Sequence, residues 1–244
     1  MRKAVALGIA LVALMACHRE PARIRNLPAR MLWAWESPQD LRFLEKGEGV
    51  AFLGGELHFS EGKSRWIPRR NPLYVNPETP LLAVLRVEAG RETLNESQAE
   101  VLVTRALELL ALPRVRGLQV DFDALESQRP FYVQALKRLR SRMNTDTPLS
   151  ITALASWCLE DHWLAALHGV VDEAVPMLFR MGPDNPNVRQ RLERGDVIEP
   201  LARFSYGLST DEPRPHLRGH RRCYVFHPGS WNREAWQRIA PELP

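Results

Sequence analysis

Cysteine is scarce in this chain of 244 residues: Cys17, Cys158 and Cys223 are the only three, and no two have the close spacing of a structural zinc site. Several local signatures of catalysis are missing as well. There is no Gly-x-Ser-x-Gly, His-Glu-x-x-His, Gly-x-x-x-x-Gly-Lys or Gly-x-Gly-x-x-Gly. Serine hydrolase, zincin, P-loop and dinucleotide-binding readings therefore have no local support, and no cofactor or resident metal is expected. Long apolar runs are absent too; the longest candidate, Ala4 to Ala16, falls short of the ~20 helical residues that cross a bilayer. Neither sign of charge dominates, with 33 Lys and Arg against 29 Asp and Glu. Nothing in this balance argues for nucleic acid as a partner, and the basic clusters IPRRNP (67–72) and RGHRRC (218–223) read most simply as solvated surface, with contact to an anionic glycan as the alternative. What is present, 45% hydrophobic and 25% charged residues, suits one domain with a substantial core.

The apolar run follows Arg2 and Lys3, the form of a signal peptide. It ends in Leu14-Met15-Ala16-Cys17, which resembles the lipobox of bacterial lipoproteins, in which the cysteine is lipidated and becomes the mature N-terminus. That resemblance implies a leader over 1–16, lipidation at Cys17, a tether over 17–30 and a folded domain over 31–244. His18 is not the aspartate that favours inner-membrane retention, which implies an outer-membrane anchor facing the periplasm. The alternative is an ordinary leader with a chance cysteine. Removal of two basic residues with the leader lowers the formal net charge from +4 to +2.

Eight strand-like runs recur along the rest of the chain: 31–36, 50–59, 81–88, 117–124, 149–158, 173–182, 202–209 and 222–229. Helix-like segments separate many of them. SPQDLRFLEKG carries a Ser37 cap and Pro38 in its first turn, and it is followed along the chain by LNESQAEVLVTRALELLAL, SQRPFYVQALKRLRSRM, LEDHWLAALHG, NPNVRQRLERG and NREAWQRIA. Strands alternating with helices predict a parallel sheet, and eight of them predict an α/β fold of the closed (β/α)8 TIM-barrel type. Two proline-rich connections, 60–80 and 210–221, read as loops that replace helices. In that barrel Cys158 closes the fifth strand and Cys223 opens the eighth, too far apart for a disulfide.

The fourth run, GLQVDFDA, raises the functional question. Leu118, Val120 and Phe122 share one parity while Gln119, Asp121 and Asp123 share the other, so the polar set faces one side of the strand. In a barrel that side is the axis, and the aspartates sit nearest the catalytic, C-terminal end. Two neighbouring carboxylates raise one another's proton affinity, which would leave one protonated as a general acid and the other as base, nucleophile or stabiliser. Two other readings remain open: Asp121 pairs structurally with Arg86, or the two aspartates hold a divalent cation with Glu88. Glu36, Glu88, Arg180 and His227 also fall at strand ends, as do Trp33, Trp35, Trp157 and Trp231, whose rings could stack on sugars.

GLQVDFDA is similar to the fourth-strand signature of chitinase-type glycoside hydrolases, where three acidic positions alternate after a glycine. Gln119 and Asp121 stand at the first two, and Asp123 stands in place of the proton-donating glutamate. VPMLFRMG resembles that family's sixth strand, with Met177 matching and Phe179 where a tyrosine would be. Over its length the chain also resembles a bacterial family of uncharacterised lipoproteins marked by VDFDALESQRPFY, LSITALASWC and VPMLFRMG. These resemblances imply a hydrolase or transglycosidase acting on a cell-envelope or extracellular polysaccharide, or a non-catalytic glycan-binding lipoprotein on the same barrel.

Overall fold

The computed structural model describes residues 20–159, 161–182, 185–194, 197, 199–213 and 221–243. Its strands are β1 (Arg30–Ala34), β2 (Gln39–Asp40), β3 (Glu48–Ser60), β4 (Lys63–Pro68), β5 (Leu73–Tyr74), β6 (Leu81–Ala89), β7 (Val115–Asp121), β8 (Leu149–Leu154), β9 (Glu173–Met177), β10 (Ser205–Ser209) and β11 (Arg222–Phe226). The α-helices are α1 (Glu96–Leu110), α2 (Arg129–Arg142), α3 (Ala155–Leu159), α4 (Asn185–Arg194) and α5 (Arg233–Ile239).

All eight expected strands form, and they close into a parallel barrel because β1 pairs with β3 on one side and β11 on the other. Period-two alternation explains why. Met31, Trp33, Ala51, Leu82, Val84, Val175, Tyr224 and Phe226 meet inside the barrel, while Leu32, Leu85, Leu118, Val120 and Ile151 belong to the outer core with the helices. Helix α1 starts where Asn95 and Gln98 cap each other's backbone N–H groups. It buries Ala99, Leu102, Val103, Ala106 and Leu109, at helical spacing. Helix α2 packs beside it with Tyr132, Leu136 and Leu139 buried.

Three local expectations are corrected. SPQDLRFLEKG is not a helix: Gln39 and Leu41 donate their backbone N–H groups to Pro72 and Tyr74 carbonyls, at 3.0 and 2.8 Å, forming the β2–β5 pair. The connection 60–80 is not all loop, since β4 folds back on β3 through a two-residue turn at Glu61 and Gly62, both at positive φ. The fifth strand stops at Leu154, where the chain turns into α3 and carries Trp157 to pack edge-on against Trp163, ring centroids 4.9 Å apart. β3 itself bulges between Leu53 and Gly55; a Cβ on Gly54 would stand 2.6 Å from a Leu109 methyl, so any side chain there would have to displace Leu109 of α1.

The N-terminal end of the barrel is plugged by charge. Arg222 is buried and donates to Glu173 (2.9 Å), to Glu20 (2.9 Å) and to the Pro28 and Ile24 carbonyls (3.1 and 2.6 Å); the Tyr224 hydroxyl donates to Glu173 at 2.6 Å. Glu20 to Ile24 fall within the segment expected as a tether, and from Glu20 onward that segment packs beneath the barrel, with Ile24 and Leu27 buried. Arg222 also departs from the expectation of a solvated RGHRRC cluster, as does half-buried Arg69 in IPRRNP, which donates to the Trp35 and Ser37 carbonyls at 2.7 Å each. Cys158 and Cys223 are both buried and unbridged. Cys17 lies outside the described residues.

Candidate active site

At the C-terminal end of the strands lies a cavity of about 700 Å³. Its inner face follows from the inward parity of β7. Gln119 lies deepest, fully buried, accepting from the Trp33 indole (2.8 Å) and donating to Ser150 (3.1 Å). Asp121, 2% exposed, forms the next layer: it accepts from Thr152 Oγ1 at 2.6 Å and from Arg86 Nη1 at 2.8 Å. Asp123 comes just past the strand, accessible in the cavity wall.

The pairing of Asp121 with Arg86 is the structural reading of that aspartate, and the geometry bears it out without removing Asp121 from the cavity lining. Arg86 also holds Glu88 at 2.5 Å through Nε and lies 5.4 Å over the Trp35 ring. One guanidinium thus ties β6 to β7 and braces an aromatic wall. It stands between the carboxylates, and among the described residues no three His, Cys, Asp or Glu side chains converge as a metal set. The divalent-cation arrangement with Glu88 is therefore not supported.

Asp123 differs electrostatically from its neighbour. Desolvation in the cavity wall, then the negative charges of Asp121 and Glu88, push its carboxyl above the usual range, with Arg86 opposing. Aromatic side chains complete the floor. Trp33 contacts Trp35 edge-on at 4.3 Å and stacks on Phe226 at 4.6 Å, and Phe179 lies 4.7 Å from Phe226. Trp33 itself is fully buried, so Trp35, Phe179 and Phe226 are the rings that face the cavity, beside a carboxyl of raised proton affinity.

Four of the expected site residues line this cavity: Asp121, Asp123, Trp35 and Arg180. Five do not. Glu36 instead fixes the 69–71 loop, accepting from the Arg70 and Asn71 backbones at 2.9 and 3.0 Å. Glu88 lines a separate hollow beside His58 and Arg65. Trp157 is buried under α2 and the segment after α3, with Arg129 5.9 Å from its ring. His227 bonds Thr210 at 2.7 Å in another small hollow, and Trp231 is buried against it with its indole donating to the Trp33 carbonyl at 3.0 Å. Glu36, Trp157, His227 and Trp231 lie off the cavity because β1, β8 and β11 stop earlier than the alternation suggested and the chain turns aside, whereas Glu88 lies within β6 and pairs with Arg86 beside the neighbouring hollow.

The sequence reading missed Asn187, Val188 and Arg191, which α4 contributes to the opposite wall. Their i, i+1, i+4 spacing marks one face of a helix following the sixth barrel strand. Leu154, Ala155 and Ser156 enter where β8 turns into α3.

The segment that carries both aspartates, Arg86 and Arg180 decides the family comparison. Residues 77–182 match DUF3142, a domain of unknown function. The DUF3142 match runs from β6 to just beyond β9. No curated protein matches the chain. Among solved structures, the chain is similar to a family GH18 chitinase from Chromobacterium violaceum, at TM-score 0.52 and 10% identity, over 81% of this chain and 68% of that one. It is also similar to a chain from Streptomyces coelicolor assigned as Chitinase A, at TM-score 0.50 and 9% identity, over 81% and 79%. The spore cortex-lytic enzyme SleL of Bacillus cereus matches at TM-score 0.48 and 14% identity, over 77% of this chain and about half, 54%, of that one. The two chitinase-type likenesses share the fold of this chain, a closed parallel (β/α)8 barrel.

Proposed function

We propose that this barrel is an envelope lipoprotein that acts on a polysaccharide by carboxylate acid/base chemistry. Asp123 is the general acid and Asp121, neutralised by Arg86 and Thr152, is the fixed partner that orients it or stabilises positive charge at the sugar. The observation that carries this reading is the contrast between the two carboxyls in one aromatic cavity: Asp121 is held by two donors, whereas Asp123 has a raised proton affinity and no held partner among the described residues. Separation of environments between paired carboxyls is how acid and base roles are divided.

Phe179 favours a second reading, a glycan-binding barrel that no longer cleaves. It is buried against Phe226 and offers no hydroxyl where the chitinase-type signature has a tyrosine, and the first acidic position is Gln119, sealed beneath Trp33. The test is a glycan array probed with the protein, followed by analysis of products from every glycan retained. Release of shorter sugars supports the hydrolase; retention without products supports the binding barrel; no retained glycan at all removes both.

The membrane part of the proposal rests on the lipobox-like Leu14-Met15-Ala16-Cys17 and on His18, which together favour the periplasmic side of an outer membrane. Cys17→Ser should move the protein from the membrane to the soluble fraction and abolish incorporation of labelled fatty acid. Equal fractionation of both forms, with no label on the wild type, would remove the anchor.

A further inference from the structure

We propose that the hollow at the N-terminal end of β10, β11 and β1 is a binding site for a phosphoryl anion, held by Arg25, Arg203 and Arg221. It lies at the opposite end of the barrel from Asp121 and Asp123 and does not depend on the function proposed for them. The cavity measures about 320 Å³ and is bordered by Glu20, Leu27 and Phe204 as well as these arginines. Each arginine comes from a different approach to the barrel: Arg25 from the segment before β1, Arg203 and Arg221 from just ahead of β10 and β11.

Three guanidinium groups face this space, and among the described residues none of them has an ion-pair partner. Among the described residues Arg25 donates only to the Glu20 carbonyl, at 3.2 Å, and Arg203 only to the Val197 carbonyl, at 3.4 Å. Arg221 lies 4.6 Å over the Tyr206 ring, and its buried Nη1 has no hydrogen-bond partner among the described residues. The one acid at the border, Glu20, is taken up by Arg222, which also faces Glu173. Arg221 is thus a cation left with an unsatisfied donor, its guanidinium pushed down by desolvation and then by the charge of Arg203, with Tyr206 opposing. Such a group calls for an acceptor.

The chemistry selects the ligand. Guanidinium forks pair bidentately with phosphoryl oxygens, and three of them around one hollow suit a tetrahedral group with several acceptor oxygens better than a two-oxygen carboxylate. Glu20 is three residues from Cys17, so the lipid proposed there would lie within about 10 Å of it along the chain. Two sources share the chemistry: the phosphodiester of a membrane headgroup, and free phosphate.

The test titrates the full chain, in detergent, with inorganic phosphate and with glycerophosphoglycerol, the headgroup fragment of phosphatidylglycerol, by calorimetry at ionic strength matched with chloride. Saturable binding of one or both is expected, weakened about tenfold or more in the Arg25→Gln/Arg203→Gln double variant. Both of those side chains are exposed, and circular dichroism verifies that the double variant stays folded. Arg221→Lys, which keeps the charge but loses the fork, should give a smaller loss. Tighter binding of the diester assigns the site to the membrane; tighter binding of inorganic phosphate assigns it to a soluble ligand. Heat no larger than that of chloride, or equal affinity in the folded double variant, overturns the site.

Discussion

Asp123→Asn lowers turnover of a cleaved glycan by about 10²–10⁴-fold while its affinity stays within severalfold, because a proton donor acts mainly in the transition state. Asparagine keeps the size and the hydrogen-bonding edge, so Trp35 and Phe179 still offer their rings. The same change has a second, opposite effect. Partial desolvation in the cavity wall and the nearby carboxylates raise the proton affinity of Asp123 in the folded chain, so its ionised form is disfavoured there. The stability linked to this group is fully present below the ordinary carboxylate range and is lost as pH rises through the raised value. At neutral pH the variant should therefore melt higher than the wild type, and the two curves should converge in acid. A variant that turns over at the wild-type rate would exclude Asp123 as the acid. Coincident melting at every pH would contradict the electrostatic account.

Arg222→Met should destabilise the fold by about 3–5 kcal/mol, the cost of breaking a buried ion pair from one side. Arg222 is 5% exposed and Glu173 is 0% exposed, so removing the cation strands a carboxylate inside the barrel with only the Tyr224 hydroxyl to support it. Glu20 loses its partner in the same step. Against a typical domain stability of about 5–15 kcal/mol this is a large share. Urea denaturation measures it, and adding Glu173→Gln should restore roughly 1–3 kcal/mol, since the stranded charge is then gone. A loss below about 1 kcal/mol would mean that the plug contributes little.

The barrel was legible because its signal is local. Eight apolar runs and the capped, periodic stretch from Asn95 to Leu110 each declare themselves within a few residues, and VDFDA states its own inward parity. Asp121 and Asp123 therefore came out together in the cavity. The pairing of Asp121 with Arg86 was also legible, from shared parity on neighbouring strands. What stayed hidden depends on tertiary partners. SPQDLRFLEKG has helix-like capping, yet Pro72 and Tyr74 carbonyls draw Gln39 and Leu41 into a strand pair. LSITALASWC reads as one strand throughout, yet Trp157 finds Trp163 and the chain turns at Ala155. Arg222 looked like one more surface cation in RGHRRC, because nothing nearby in the sequence announces Glu173 and Glu20, 49 and 202 residues away.

That last separation carries over from the finished barrel to how it is reached. β1 takes its second neighbour from β11, so the earliest barrel strand keeps an open edge until the latest one arrives. The clasp between Glu20 and Arg222 can form only at that moment. Closing so long a loop is entropically slow, and an unpaired edge is open to wrong partners meanwhile. A nascent chain of this protein thus stays incomplete until its final strand exists, a delay that suits the export proposed above, in which the polypeptide is threaded through a membrane before it folds.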